Sequence, residues 1–299
     1  MKNNSIYLTG SNGFVGINIF KHFENIYTLS KFERDSTIKI TQNIVIHLAG
    51  KAHDVKNTSH PQEYYIANTE LTKELFDKFL ESNASVFITL SSVKAAADEL
   101  DVVLTEDHLP NPITHYGKSK LFAEEYILSK KIPAGKRVYI LRPCMIHGPG
   151  NKGNLNLLYK IVSMGLPWPL GVFANKRSFC SIDNLCFIIN ELIQNDQIPS
   201  GIYNIADDDA ISTSELINLI SESIGKKAII WNIPQSLIKT LSKYGDILRL
   251  PLNTERLNKL TETYLVSNKK IISAIKKSLP LTAKEGLIKT FNSFKTHAK

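Results

Sequence analysis

The stretch Ser5–Phe20, SIYLTGSNGFVGINIF, decides the fold. A short β-rich run, Ser5–Thr9, leads straight into Gly10, Gly13 and Gly16, spaced three apart. Inside a helix each glycine costs about 1 kcal/mol relative to alanine, so the spacing has to serve something else. In a strand–turn–helix unit it does. The first glycine permits the tight turn, the second lets backbone approach a pyrophosphate, and the third lets the helix pack on the sheet. The helix N-terminus then offers unpaired N–H groups and a positive dipole end to the phosphates. With Asn12, Phe14 and Val15 completing the turn, Gly10, Gly13 and Gly16 are the candidate cofactor-binding residues.

Outward from this unit the rhythm repeats. Ile26–Ser30, Asn43–Leu48, Ser85–Ser91 and Arg137–Arg142 read as buried parallel strands. Gly13–Phe23, Tyr64–Asn83 and Gly117–Lys130 carry apolar residues at helical spacing. The alternation predicts an α/β fold with a doubly wound parallel sheet, a dinucleotide-binding domain over 1–148. Prolines and glycines then cluster, as in GLPWPLG, and a smaller substrate-binding lobe is expected over 149–299. Gly201–Ile205 reads as one more strand returning to the sheet. The segment from Lys31 to Gln42 is short for a crossover with its helix, and Ile38–Ile40 within it looks strand-like. Such a truncated unit leaves the adenine side of a nucleotide site open.

At the end of the second strand a dinucleotide site usually carries an acid for the ribose 2′-hydroxyl. Here Ser30 is followed by Lys31, with Arg34 nearby, which suits a 2′-phosphate as well as a solvated loop. The choice between NAD and NADP stays open.

Composition sets the outer bounds. Hydrophobic residues at 43% and charged residues at 21% suit an ordinary globular protein. No run approaches a membrane span, and the N-terminus goes directly into a strand without room for a signal peptide. Cys144, Cys180 and Cys186 are odd in number and lack CxxC spacing, which points to buried thiols in a reducing compartment, neither disulfides nor a metal site. The cytoplasm is the expected location. Nearly all of the formal net charge of +8 comes from eight lysines between Lys269 and Lys299, so no nucleic-acid partner is expected. Leu287, Ile288, Phe291 and Phe294 in that tail fall at helical spacing. Docking of this stripe on the core is the preferred reading, and contact of 269–299 with anionic lipid is the alternative.

The next informative stretch is HYGKSK, His115–Lys120, which places Tyr116 and Lys120 one turn apart on one helix face. A phenol near pKa 10 is a poor acid or base at neutral pH, and a neighbouring ammonium stabilises the phenolate. Ser91 and Ser92 end the fourth strong strand, on the carboxyl edge where open α/β sheets bind ligands.

In order along the chain come TGxxGxxG at Thr9–Gly16, HLAG at His47–Gly50, the serine pair Ser91–Ser92, YxxxK at Tyr116–Lys120 and RPxxxxGPG at Arg142–Gly150. Together they resemble the extended short-chain dehydrogenases/reductases that act on nucleotide sugars, the NAD-dependent epimerase/dehydratase family. PNPITHYGKSKLFAEE, RSFCSIDN and GIYNIA extend the similarity over roughly residues 5–270. The resemblance implies NAD(P) as cofactor, held by the glycine turn, by Leu48, Ala49 and Gly50, and by Tyr116 and Lys120. It implies Tyr116 as acid/base on the sugar 4-oxygen, Lys120 lowering the tyrosine pKa, and Ser92 bonding the same oxygen. Arg177 matches the arginine on the substrate phosphates, with Lys94 and Asn154 as further substrate candidates and Lys152 as an undecided loop lysine. A UDP-linked sugar is the family expectation, as is a homodimer through Tyr64–Asn83 and Gly117–Lys130.

Departures from the family pattern narrow the chemistry. Ser92 is followed by Val93 and Lys94, not by the Asp–Glu pair that eliminates water in the dehydratases. Ala95–Ala97 and His147 stand where tyrosines are usual, so the sugar need not be plain glucose or galactose. His147 itself reads as a packed histidine before it reads as a catalyst. The resemblance favours reduction of a UDP-4-keto-6-deoxy-N-acetylhexosamine for surface polysaccharide. A UDP-hexose 4-epimerase is the alternative, and a non-catalytic dinucleotide sensor is the reading from another class.

Overall fold

A computed structural model describes residues 4–32, 38–52, 60–151, 153–248 and 253–295. In the first half, β1 (Ser5–Thr9), α1 (Phe14–Phe23), β2 (Thr28–Lys31) and β3 (Ile44–His47) come first. They are followed by α2 (Pro61–Tyr64), a π-helical segment Tyr65–Glu70, α3 (Leu71–Glu81), β4 (Val86–Leu90), α4 (His115–Ser129) and β5 (Arg137–Pro143). The second half contributes β6 (Met145–His147), α5 (Asn154–Ser163), β7 (Lys176–Arg177), β8 (Phe179–Ser181), α6 (Ile182–Gln194) and β9 (Gly201–Ile205). It ends with β10 (Ile211–Ser212), α7 (Thr213–Ser223), α8 (Gln235–Leu248), α9 (Thr254–Thr261), α10 (Lys269–Ile275) and α11 (Ala283–Lys295).

The six long strands form one parallel sheet in the order β2-β1-β3-β4-β5-β9. Strand β1 runs over Ser5–Thr9 as the alternation predicts, and Gly201–Ile205 does return to the sheet beside β5. Its burial on both faces follows from the helices that cover it. On one face α3 and α4 bring Leu75, Phe76, Phe79 and Ile127 against Val45, Phe87 and Ile140. On the other, α1 and α6 bury Ile19, Phe23, Leu185, Ile188 and Leu192 against Ile6, Leu8, Ile46 and Ile88. Chain from both sides of residue 148 therefore builds the sheet layer. A second core joins α5, α7 and α11 around Tyr159, Ile217, Ile220, Leu287 and Phe291.

Two details differ from the sequence reading. Ile38–Ile40 is not a strand. Ile38 is buried and Ile40 half-buried against the α3–α4 side of the core, and Gln42 Nε2 donates to Ser30 Oγ at 3.0 Å. Strand β2 is thus the edge of the sheet. Arg34 lies outside the described residues, as does Lys152. The helix expected over Tyr64–Asn83 starts at Pro61 and passes through a π-helical turn before α3.

The lipid alternative for 269–299 is corrected by the structure. Leu287, Phe291 and Phe294 are buried in the second core with Ile288 packed against it, so the apolar stripe faces inward. Three of its lysines also pair with acids of the core: Lys277 with Glu191, Lys284 with Glu215, and Lys289 with Asp183. No helix among the described residues is long and apolar enough to cross a membrane.

Candidate active site

The site is built at the carboxyl ends of the strands, starting from the glycine turn. Gly10 has φ +71°, a conformation that favours glycine, and a Cβ there would lie 2.6 Å from the Ala49 nitrogen. A Cβ at Gly16 would collide with the Gly10 carbonyl, so α1 packs directly on the turn. Gly13 is the N-cap of α1 with no side-chain cap, no acid sits in the first helical turn, and Asn12 and Gly13 are exposed. The first N–H groups of α1, at Phe14, Val15 and Gly16, thus lack a protein anion, which fits a dinucleotide pyrophosphate.

Beside this turn runs a directional chain of hydrogen bonds that the sequence reading did not identify. Thr9, His47 and Thr89 are register neighbours across β1, β3 and β4. The Ala49 N–H donates to Thr9 Oγ1 at 3.1 Å, and Thr9 Oγ1 lies 2.7 Å from His47 Nδ1. His47 Nε2 lies 2.9 Å from Thr72 Oγ1, which donates to the Asn68 carbonyl at 2.7 Å. Since the Thr72 proton goes to that carbonyl, His47 donates through Nε2 and accepts at Nδ1, and the ring is neutral. Burial, with the Lys120 charge nearby, holds its pKa down to about 3.

Asn68, fully buried in the π-helical turn, ties two loops together. Its Oδ1 accepts from the Lys51 N–H at 2.8 Å, and its Nδ2 donates to the Lys51 carbonyl and to Ser119 Oγ, at 3.1 and 3.0 Å. Ser119 Oγ in turn donates to the Tyr116 carbonyl at 2.8 Å. Thus the HLAG loop, with Leu48, Ala49 and Gly50, is fixed against α4. A Cβ built on Gly50 would stand 3.2 Å from Lys120 Nζ.

The start of α4 is set by Asp98, whose carboxylate accepts from the Ile113 and Thr114 N–H groups at 2.6 and 2.9 Å. Thr114 caps the helix by accepting from the Gly117 N–H at 3.1 Å. From this anchored end Tyr116 reaches Ser92, the cap of the short 3₁₀ turn Val93–Ala95, and the two side chains hydrogen-bond. Lys120, one turn on, donates to the Leu90 carbonyl at 2.9 Å. The structure therefore brings Ser92, Tyr116, Lys120 and Gly50 into one cluster.

The electrostatics differ from the expected lowering of the tyrosine. Burial raises the Tyr116 pKa and outweighs the Ser92 hydrogen bond, while the Lys120 ammonium points at a carbonyl. Desolvation instead lowers Lys120 to about 8, against the opposing charge of Glu124. Glu124 and Arg142 form a buried ion pair behind this cluster, and Ser91 Oγ donates to the same carboxylate. Glu124 lies four residues past Lys120, and that spacing was the signal available.

The substrate candidates fall into two places. Lys94 Nζ donates to the Asp98 carbonyl and lies 4.4 Å from the Tyr264 ring centroid. Burial lowers its pKa, opposed by Glu262 and aided by Arg177. Arg177, on β7, donates through Nε to the Glu262 carbonyl at 3.1 Å and through Nη2 to the Lys259 carbonyl, with Glu262 Oε2 at 3.6 Å. Lys94 and Arg177 thus share one polar cluster, and Glu262 Oε1 there is buried without a hydrogen bond. Tyr264, whose hydroxyl donates to the Ala97 carbonyl at 2.7 Å, closes it and was not anticipated. Asn154 sits exposed at the first position of α5, and Lys31 lies on the edge strand with Nζ 4.2 Å from the Phe20 ring centroid. His147 is fully buried, between Thr290 Oγ1 at 2.9 Å and Asp207 Oδ2 at 3.4 Å, so it is the packed histidine expected. The three cysteines are free and buried, their thiols raised by desolvation.

The model of the NAD dependent epimerase/dehydratase family matches residues 6–206. Over 324 aligned positions the chain is 29% identical to a UDP-glucose 4-epimerase of Vibrio cholerae, covering 97% of this chain and 95% of the relative. It is 26% identical to the N-acetyl-alpha-D-glucosaminyl-diphospho-ditrans,octacis-undecaprenol 4-epimerase of Escherichia coli O157:H7, covering 99% and 97%. Among solved structures, a UDP-N-acetylglucosamine 4-epimerase from Bacillus cereus superposes with a TM-score of 0.75 at 19% identity, covering 99% of each chain.

Proposed function

The chain belongs to the NAD-dependent epimerase/dehydratase family, and from that premise we propose that it inverts C4 of a hexose carried on a nucleoside diphosphate. The observation that carries this reading is the meeting of Ser92, Tyr116 and Lys120 beside the Leu48–Gly50 loop. The Tyr116 hydroxyl exchanges a proton with the sugar 4-oxygen, and Ser92 hydrogen-bonds the same oxygen and orients it. Lys120 supplies a fixed ammonium at the end of β4, next to the loop that lines the cofactor ribose. NAD, when bound on the glycine turn, supplies hydride exchange at C4. Arg177 and Lys94 neutralise the substrate diphosphate, a task suited to guanidinium geometry. With Val93 and Lys94 after Ser92, an acid–base pair for eliminating water is lacking at that turn. The near full-length likeness to two 4-epimerases supports inversion over other C4 chemistry. The same family reading carries a homodimer through α3 and α4, supported by Phe122 and Leu128 left exposed on α4.

A second reading, single reduction of a 4-keto sugar by NADPH, is favoured by one observation. Strand β2 is the sheet edge and ends on exposed Lys31 with no acid, an open setting for an exchanging cofactor with a 2′-phosphate. Purifying the protein without added cofactor, denaturing it and identifying any released dinucleotide separates the two. Stoichiometric NAD⁺ supports inversion. An empty protein that oxidises NADPH with a 4-keto sugar replaces it with reduction, and failure of both chemistries with intact fold removes the proposal.

A further inference from the structure

Helix α8 is held to the molecule by a narrow face, Ile238, Ser242 and Gly245. A quarter turn away, Leu237, Leu241, Tyr244 and Leu248 fall on one stripe, spaced four, three and four apart, and are 51%, 50%, 58% and 65% exposed. Inside a soluble lobe such a stripe ordinarily packs, as the stripe of α11 does here. Ile229 and Trp231, on the strand-like segment that leads into α8, are exposed too.

The surroundings are basic. Lys226, Lys227, Lys239 and Lys243 are exposed on and before this helix. Set against these four lysines are Asp246, which accepts from the Thr254 N–H and hydroxyl, and the exposed Glu222, while Glu255 pairs with Lys259. A helix with an apolar stripe that includes Tyr244, with Lys239, Lys243 and the exposed Ile247 off that stripe and Trp231 just before it, has the make-up of an element lying in a bilayer interface. A second copy is a poorer occupant, because a contact between two such faces brings two like-charged lysine sets close together. An anionic surface neutralises them.

We propose that the α8 face docks this protein on the surface of an anionic phospholipid membrane. The docking leaves the chemistry at Tyr116 untouched and is read without turnover, so it stands or falls apart from the C4 assignment. It does have a consequence for the site. Helix α8 packs on α9, and the Lys259 carbonyl of α9 accepts from Arg177, so the docking helix is one element away from the candidate diphosphate ligand.

The test is flotation of the full-length chain with phosphatidylcholine vesicles, with and without phosphatidylglycerol, at low and high salt. Binding is expected with the anionic vesicles and should weaken with salt. The pair Leu237→Ser and Leu241→Ser should lower it roughly tenfold or more, since both side chains leave the lipid. Lys239→Glu with Lys243→Glu should lower it as well. These positions are exposed, so circular dichroism and thermal melting should not change, and the soluble-substrate rate should stay at the wild-type level. No flotation with either vesicle, or equal flotation of wild type and serine pair, overturns the proposal. A serine pair that instead converts a larger species to a smaller one by light scattering, with vesicle binding unaltered, hands the face to a second copy and also overturns it.

Discussion

Glu124 grips the Arg142 guanidinium with both carboxylate oxygens, and each side chain is only 2% exposed. The pair joins α4 to β5 directly behind Lys120, and Ser91 is bound to the same carboxylate at the end of β4. Removing one partner strands the other charge in the interior. Glu124→Gln is therefore expected to destabilise the fold by about 3–5 kcal/mol, whereas replacing both partners with apolar residues should cost much less. Urea unfolding of the single and double variants checks this; equal losses would show that the pair is not desolvated.

Tyr116→Phe removes the only atom by which this side chain exchanges a proton. Turnover should fall by roughly 10²–10⁴-fold, the usual range for a positioned acid/base. Cofactor affinity, measured by fluorescence titration, should stay close to wild type, because the Gly10–Gly16 turn and the Leu48–Gly50 loop do not depend on the phenol. A fully active variant would remove Tyr116 from the reaction.

Much of this site could be read along the chain because it rests on local spacing. Gly10, Gly13 and Gly16 follow a strand at once, and Tyr116 and Lys120 stand one helical turn apart, so both signals are visible within a dozen residues. The supports of the site were harder to see. Asn68 acts through a π-helical turn, whose extra residue hardly disturbs an apolar pattern that reads as one long helix. Thr9, His47 and Thr72 meet through sheet register and helix packing, with 25 residues or more between bonded partners. Tyr264 closes over Val93–Ala97 from 167 residues away, a distance no local pattern reports. Ile38–Ile40 failed as a strand for a related reason. Its apolar residues are satisfied by packing, and β-propensity says little about whether a pairing edge is taken.

Gly10 and Gly135 make a matched pair for testing the turn. Both have positive φ, +71° and +82°, but a Cβ at Gly135 meets nothing within 4 Å while one at Gly10 meets the Leu48–Ala49 backbone. Gly135→Ala should cost only the backbone strain, about 1 kcal/mol. Gly10→Ala must also push the Leu48–Ala49 backbone aside, so it should cost more and, on the proposed reading, weaken NAD binding roughly tenfold or more. Isothermal titration alongside thermal melting distinguishes the two; equal effects would leave the close approach without consequence.

His47 makes stability depend on acid. Its pKa in the fold is held near 3, below the value of about 6.5 in an unfolded chain. Above pH 6.5 neither state binds the proton and the ring contributes no pH slope. As pH falls below 6.5 the unfolded state takes up a proton that the folded state refuses, so stability should drop by about 1.4 kcal/mol per pH unit towards pH 3. His47→Gln should be less stable at neutral pH, having lost the Thr9–Thr72 bridge, but should show a flatter slope between pH 6.5 and 4. Parallel slopes for the two proteins in denaturant titrations would mean that His47 titrates freely.

Lys120 gives the activity its own pH limit, of opposite sense. With its pKa lowered to about 8, the ammonium is present at neutral pH and is lost as pH rises through that value. The Tyr116 phenol is raised by burial, so the limb that belongs to it lies above that of Lys120. If the charge on Lys120 is needed, kcat/KM should fall tenfold per pH unit above about 8. Lys120→Arg keeps a charge that does not titrate there. Its rate should be lower, because a fork replaces a point donor to the Leu90 carbonyl, but its alkaline limb should disappear. A wild-type profile flat to pH 10 would mean that the neutral amine serves as well. A limb at pH 8 that persists in the arginine variant would assign it to another group.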